Sequence, residues 1–215
     1  MSSVFLCLFA AASAIHLYGS FIDDRRVRNA SKGAVVLFLL CFYLTRAAAP
    51  EKWFAAALVF SLLGDVLLMF RRCFAAGGVS FLFTHICLIV LWSRGIPAAF
   101  PPFLFFPAAA AYAAVIVWEL RKVAKHLPRR LRFPAAFYLC TNAAMNLAAL
   151  LQLLSSPGRA TALIYAGAVC FFLSDCVLFF VRFPAGFRVP RRHFPVMLLY
   201  IAGILLITLG VLGLR

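Results

Sequence analysis

Long apolar runs of this chain are separated by short breaks that hold nearly all of its charge, and that alternation dictates the architecture. The runs fall at about 4–22, 33–45, 53–70, 76–93, 100–119, 133–153, 160–181 and 194–213. Most reach the roughly 17–25 residues that a helix needs to cross a bilayer. The second is short and is expected to borrow Asn29 to Lys32 at its start. Apolar residues make up 66% of the chain and charged ones 13%, against roughly 45–50% and 25% in ordinary globular domains. A water-soluble fold would have too little polar surface to cover such a core. Disordered, collagen-like and disulfide-scaffold chains are excluded on the same figures. The pattern predicts an all-α membrane protein: eight transmembrane helices in a single polytopic domain over residues 1–215. The first run has no basic lead and passes straight into a charged loop, so it is expected to be a retained span rather than a cleaved signal.

Charge orients the bundle. Counting alternate loops puts sixteen Lys and Arg residues on one side, in the segments around Arg25 to Lys32, Arg71–Arg72, Arg121 to Arg132 and Arg182 to Arg192, and five on the other. The positive-inside rule places the sixteen in the cytoplasm and both termini outside. Spread over four juxtamembrane loops, the basic residues are accounted for by orientation and attraction to anionic lipid, so nucleic acid is not an expected partner. The seven cysteines lie mostly inside runs without a C-x-x-C pair, which reads as small packing residues rather than disulfides or metal ligands. There is no phosphate-cradling glycine loop and no H-E-x-x-H; Gly77-Gly78 reads as a turn leading into a helix.

Six carboxylates remain. Asp23, Asp24, Glu51 and Glu119 sit at run ends beside basic residues and are expected to be solvated. Asp65 and Asp175 lie within apolar runs, in Leu63-Gly64-Asp65-Val66-Leu67-Leu68 and Leu173-Ser174-Asp175-Cys176-Val177-Leu178. An ionised Asp at mid-span costs about 2.5–3.5 kcal/mol on the insertion scale, so such residues face the bundle interior and mark function. A shift of 110 residues superposes Leu63 on Leu173, Asp65 on Asp175, Leu68 on Leu178, Phe70 on Phe180 and Arg72 on Arg182. Four runs separate the two motifs, so both helices point the same way, as in two parallel four-helix halves.

Asp65 precedes Arg71 by six residues and Asp175 precedes Arg182 by seven, which at 1.5 Å per residue sets both about 9–10 Å inside the basic boundary. His16 and Tyr200 fall in nearly the same layer, with His85 and Asn142 somewhat deeper, at roughly 15–20 Å. Six helices thus bring polar atoms to one half of the membrane, as around a cavity open to the cytoplasmic leaflet. The bland readings are that His16 is satisfied within the bundle, that Asn142 and Asn146 tie helices together, and that Lys32 is a snorkelling anchor also placed to meet a lipid phosphate. Paired carboxylates facing one cavity suit acid/base hydrolysis, because burial can hold one protonated while the other stays ionised. Peptide hydrolysis by an aspartyl dyad, cleavage of an acetal-like C–O bond, and ion or proton-coupled transport all remain open. An intramembrane aspartyl protease favours Gly-x-Gly-Asp and Tyr-Asp, of which only Gly64 before Asp65 agrees; a transporter favours breaks at mid-membrane, whereas Pro101, Pro102 and Pro107 crowd the outer end of the fifth run.

Across nearly its whole length the chain resembles the YhhN-like lysoplasmalogenases, eight-span membrane enzymes. The strongest pieces are Ser61-Leu62-Leu63-Gly64-Asp65-Val66-Leu67-Leu68-Met69 and Leu173-Ser174-Asp175-Cys176-Val177-Leu178. Ser31-Lys32, Phe81 with Thr84-His85, Tyr138 with Met145, and Tyr200 to Gly210 add to them. The chain departs from the family at Gly33, where proline is common, Leu88, where tyrosine is, and Gly203, where glutamine is. The resemblance implies hydrolysis of the vinyl ether bond of a lysoplasmalogen to a fatty aldehyde and a glycerophospho-ethanolamine or -choline. Asp65 and Asp175 would be the catalytic acids. Lys32, His85, Tyr138, Asn142 and Tyr200 would bind the lysophospholipid, with its chain among the Phe-rich helices. No metal, organic cofactor or obligate protein partner is implied. Short loops and a retained first span suit a bacterial cytoplasmic membrane, with the site toward the inner leaflet.

Overall fold

The structure, a computed structural model, describes residues 1–96, 105–183 and 189–214. Among those residues the chain is all helical: α1 (Ser2–Phe21), α2 (Arg25–Arg46), α3 (Lys52–Leu68), α4 (Phe74–Ser93), α5 (Phe105–Val123), α6 (Arg129–Ser155), α7 (Arg159–Arg182) and α8 (His193–Gly213), with a 3₁₀ turn at Arg71–Cys73 before α4. Six of them, α1, α2, α4, α6, α7 and α8, are long and apolar enough to cross a membrane. The 17-residue α3, and α5 with Glu119, Arg121 and Lys122 in its second half, fall short of that measure.

Boundaries move where local chemistry overrides hydropathy. The second helix starts well before residue 33 because Asp24 caps it, accepting from the backbone N–H of Arg26 at 2.7 Å and Val27 at 3.3 Å. Its first two turns are polar, which is why an apolar scan misses them. The third helix stops at Leu68 rather than 70, as the chain tightens into the 3₁₀ turn. The fifth runs on past 119 to Val123, while residues 100–104 of the expected run, with Pro101 and Pro102, lie outside the described residues. Gly77 and Gly78 do not form a turn; they belong to the first turns of α4.

Successive helices pair as hairpins, most extensively α1–α2, α3–α4 and α7–α8, and α4–α6, α6–α7, α2–α3 and α1–α8 tie these pairs together. Small residues permit the closest approaches. A Cβ on Gly64 would stand 2.7 Å from the Phe81 ring, and one on Gly77 2.8 Å from Leu68, so both glycines are demanded by the α3–α4 contact. Between α7 and α8 the backbones themselves touch: a Cβ on Gly203 would lie 2.9 Å from the Gly167 carbonyl oxygen. A glutamine side chain has no room there. The 110-residue offset also relates packing partners. It carries α2–α3 onto α6–α7, α3–α4 onto α7–α8 and α2–α8 onto α6–α4, and every one of these pairs is in contact. The outer helices break the correspondence, α1 packing also on α8 and α5 on α7.

Candidate active site

Asp65 on α3 and Asp175 on α7 are buried, at 2% and 5% exposure, among helices whose outer faces carry exposed Val, Leu, Ile and Phe. Each carboxylate has its own polar shell. At Asp65 the Tyr200 hydroxyl donates to Oδ2 at 2.9 Å, and the Lys32 ammonium stands 3.3 Å from Oδ1. At Asp175 two donors converge on Oδ2, the Tyr138 hydroxyl at 2.6 Å and Asn142 Nδ2 at 2.8 Å, while His85 Nε2 lies 3.7 Å away. The two carboxylates lie within electrostatic reach of one another. All seven residues singled out from the sequence therefore meet in one interior: Lys32, Asp65 and Tyr200 around one acid, His85, Tyr138, Asn142 and Asp175 around the other.

An aromatic wall joins the two shells. Phe171 packs edge-on against Tyr200 (centroids 5.3 Å apart) and against His85 (5.2 Å), Tyr138 also packs edge-on against His85 (5.2 Å), and Phe81 abuts both Tyr200 and Phe171. Gly64, next to Asp65, is what lets Phe81 come so close. The imidazole of His85 is packed by ring contacts rather than held by hydrogen bonds among the described residues. Both its nitrogens are buried without a hydrogen-bond partner among the described residues, an arrangement that costs about 1–3 kcal/mol per group unless water or a ligand fills the need.

The offset reappears in the chemistry. Lys32 and Asn142 are 110 residues apart, and each sits beside the Asp of its own half of the chain. Each Asp then takes a further neighbour from the opposite half: Tyr200 on α8 for Asp65, His85 on α4 for Asp175.

Several expectations are revised. Lys32 turns inward rather than snorkelling outward: its partly buried side chain brings the ammonium 3.3 Å from Asp65 Oδ1. His85 and Asn142 do not form a separate, deeper layer, because their side chains reach the Asp175 carboxylate itself. Glu119 is not solvated. It is 0% exposed, packed near Ile116, Leu139, Phe172 and Cys176, and its oxygens accept no hydrogen bond of normal geometry among the described residues. It looked terminal because Arg121 follows, but α5 continues for another turn and carries it inside. Asp23 pairs with Arg28, and Glu51 with Arg94 at 3.5 Å. His16 is satisfied within the bundle, its Nδ1 lying 2.9 Å from the Ser31 hydroxyl, which itself donates to the Val27 carbonyl. Tyr112, overlooked in the sequence, donates to Asn146 at 3.2 Å, and Asn146 donates in turn to Asn142, extending the Asp175 shell onto α5. All seven cysteines are free thiols, and among the described residues no three of His, Cys, Asp or Glu stand close enough to share a metal ion.

From the basic-loop end, an apolar groove of about 290 Å³ leads between α4, α6 and α7 toward Asp175. Phe74 and Phe183 stand at its outer end, packed edge-on, and Tyr138, whose hydroxyl holds Asp175, is at its inner end.

The sequence pattern of the YhhN family matches residues 27–211. The chain belongs to the YhhN family. This is a family of lysoplasmalogenase-like proteins, and membership supports a function of that kind. No curated protein and no solved structure matches the chain. Every residue of the two polar shells lies within the matched segment of this YhhN-family member.

Proposed function

We propose that this protein hydrolyses the vinyl ether bond of lysoplasmalogens, releasing a fatty aldehyde and a glycerophospho-ethanolamine or -choline. The observation that carries the reading is the pair of buried aspartates held in one interior by unlike partners. A cation beside Asp65 favours its ionised form. Among the described residues Asp175 has no cation in hydrogen-bonding contact; Tyr138 and Asn142 both bond its Oδ2, which leaves Oδ1 to carry a proton. Two carboxyl groups in different charge states are what acid/base cleavage of an oxocarbenium-forming bond requires.

In this mechanism Asp175 donates its proton to the β-carbon of the vinyl ether, and the α-carbon becomes an oxocarbenium ion. Asp65 takes a proton from water as that water adds to the cation, forming a hemiacetal. The hemiacetal hydroxyl then returns its proton to Asp175 while Asp65 protonates the departing glycerol oxygen, so both acids end as they began. His85, with unpaired nitrogens beside Asp175, is placed to hold the water or the hemiacetal oxygen. With the basic loops in the cytoplasm, eight spans and both termini outside, the lipid would be drawn from the inner leaflet of a bacterial cytoplasmic membrane.

The test is aldehyde release from lysoplasmenyl-ethanolamine by detergent-solubilised protein. Turnover is expected, and Asp65→Asn or Asp175→Asn should abolish it while the protein still inserts and purifies. A carrier needs two compartments and would release no aldehyde. Full activity in Asp175→Asn removes the mechanism.

A further inference from the structure

The apolar groove bears on which lipids the site accepts, if the hydrolase reading stands. Its lining is almost wholly hydrocarbon, from Leu68, Leu82, Leu131, Leu178 and Phe179, so a charged headgroup could enter it only by shedding its water without compensation. A hydrocarbon chain is what such a surface takes, and 290 Å³ lies at the lower end of ordinary ligand pockets, roughly 300–1,000 Å³. The groove borders the site at Tyr138, which lines the groove and donates its hydroxyl to Asp175. The Asp65 shell carries the cation, Lys32, and the Asp175 shell meets the apolar groove at Tyr138. A lysoplasmalogen has the same polarity, with a charged headgroup at one end and a hydrocarbon chain at the other.

Gly78 stands on the groove wall. Glycine inside a helix weakens it, so its presence calls for a reason. At the neighbouring Gly77 the reason is contact, with Leu68 2.8 Å from where a Cβ would be. At Gly78 a Cβ would meet nothing within 4 Å. No packing demands glycine there; what it provides is empty space inside the groove.

We infer that the groove between α4, α6 and α7 holds the single hydrocarbon chain of the substrate, and that Gly78 sets the chain length by leaving the groove unobstructed. A larger side chain at this position projects into the groove without disturbing the α3–α4 contact, so the variant is expected to fold. Gly78→Leu should lower kcat/KM for hexadecenyl and octadecenyl lysoplasmalogens by about tenfold or more, since each displaced methylene is worth several-fold. The loss should be several-fold smaller for an octenyl substrate, and Gly78→Ala should fall between wild type and Gly78→Leu. Binding gives a second measure independent of chemistry: saturated alkyl-ether lysolipids, which lack the cleavable double bond, should bind wild type more tightly as the chain lengthens and Gly78→Leu without that dependence. An active wild type whose Gly78→Leu variant treats long and short chains alike overturns the inference, and the chain then lies elsewhere, in the bilayer. If wild type turns over no lysoplasmalogen yet shows the chain-length dependence in binding, the hydrolase reading fails and the groove assignment stands.

Discussion

Removing the ammonium of Lys32 leaves Asp65 as a buried carboxylate hydrogen-bonded, among the described residues, to the Tyr200 hydroxyl alone. Across 3.3 Å the attraction between unit charges is about 5 kcal/mol at an effective dielectric of about 20. Asp65 is 2% exposed, so little of that loss is recovered from water. Breaking such a pair from one side costs about 3–5 kcal/mol, the isolated charge being the main penalty. Lys32→Met should therefore destabilise the protein by that amount in reversible unfolding from mixed micelles titrated with denaturing detergent. Adding Asp65→Asn to the same chain removes the stranded charge and should bring stability back to within about 1 kcal/mol of wild type. If Lys32→Met unfolds with wild type and the two changes are simply additive, Lys32 and Asp65 do not form a pair. The assignment of Asp65 as the ionised acid then has no support.

Tyr138→Phe deletes one of two donors to Asp175 and should lower kcat about tenfold, the rate equivalent of about 1.4 kcal/mol, with unchanged melting; an undiminished kcat means that Tyr138 does not orient the acid. Glu119→Leu replaces a buried carboxyl that accepts no hydrogen bond of normal geometry among the described residues, and should leave stability unchanged or raise it by about 1–3 kcal/mol; a marked loss in thermal unfolding would show that the carboxyl stabilises the fold. Gly64→Ala forces a methyl against the Phe81 ring and should cost about 1–3 kcal/mol, whereas Gly78→Ala, meeting no neighbour, should gain up to about 1 kcal/mol of helix propensity. Equal melting temperatures for those two variants contradict the packing described for α3 and α4.

The two aspartates were legible because a carboxylate inside an apolar run has few explanations, and the 110-residue shift doubled the signal. Their partners were only half legible. Tyr200 and Asn142 could be assigned to the right half of the membrane from their distance to the basic residues, and Tyr138 only through the family resemblance. Lys32, standing at the polar start of a short apolar run, has the same sequence signature as a snorkelling anchor, and nothing local says that its side chain turns inward to a residue 33 positions on. Glu119 failed for the converse reason. A charge two residues before an arginine looks like the end of a span, and only the continuation of α5 to Val123 shows that it is inside. Hydropathy also hides the first turns of α2, because capping by Asp24 stabilises a helix whose opening residues are polar. Closeness between backbones, as at Gly167 and Gly203, leaves no mark beyond the glycines themselves.

Asp65 borrows a hydroxyl from the last helix, and Asp175 borrows an imidazole from the fourth. A cut between α4 and α5 would therefore give two fragments, each with an acid that lacks its cross-chain neighbour. Synthesised apart, neither should be competent; inserted together, they have a reason to find each other, since the interior of each is completed only by the other.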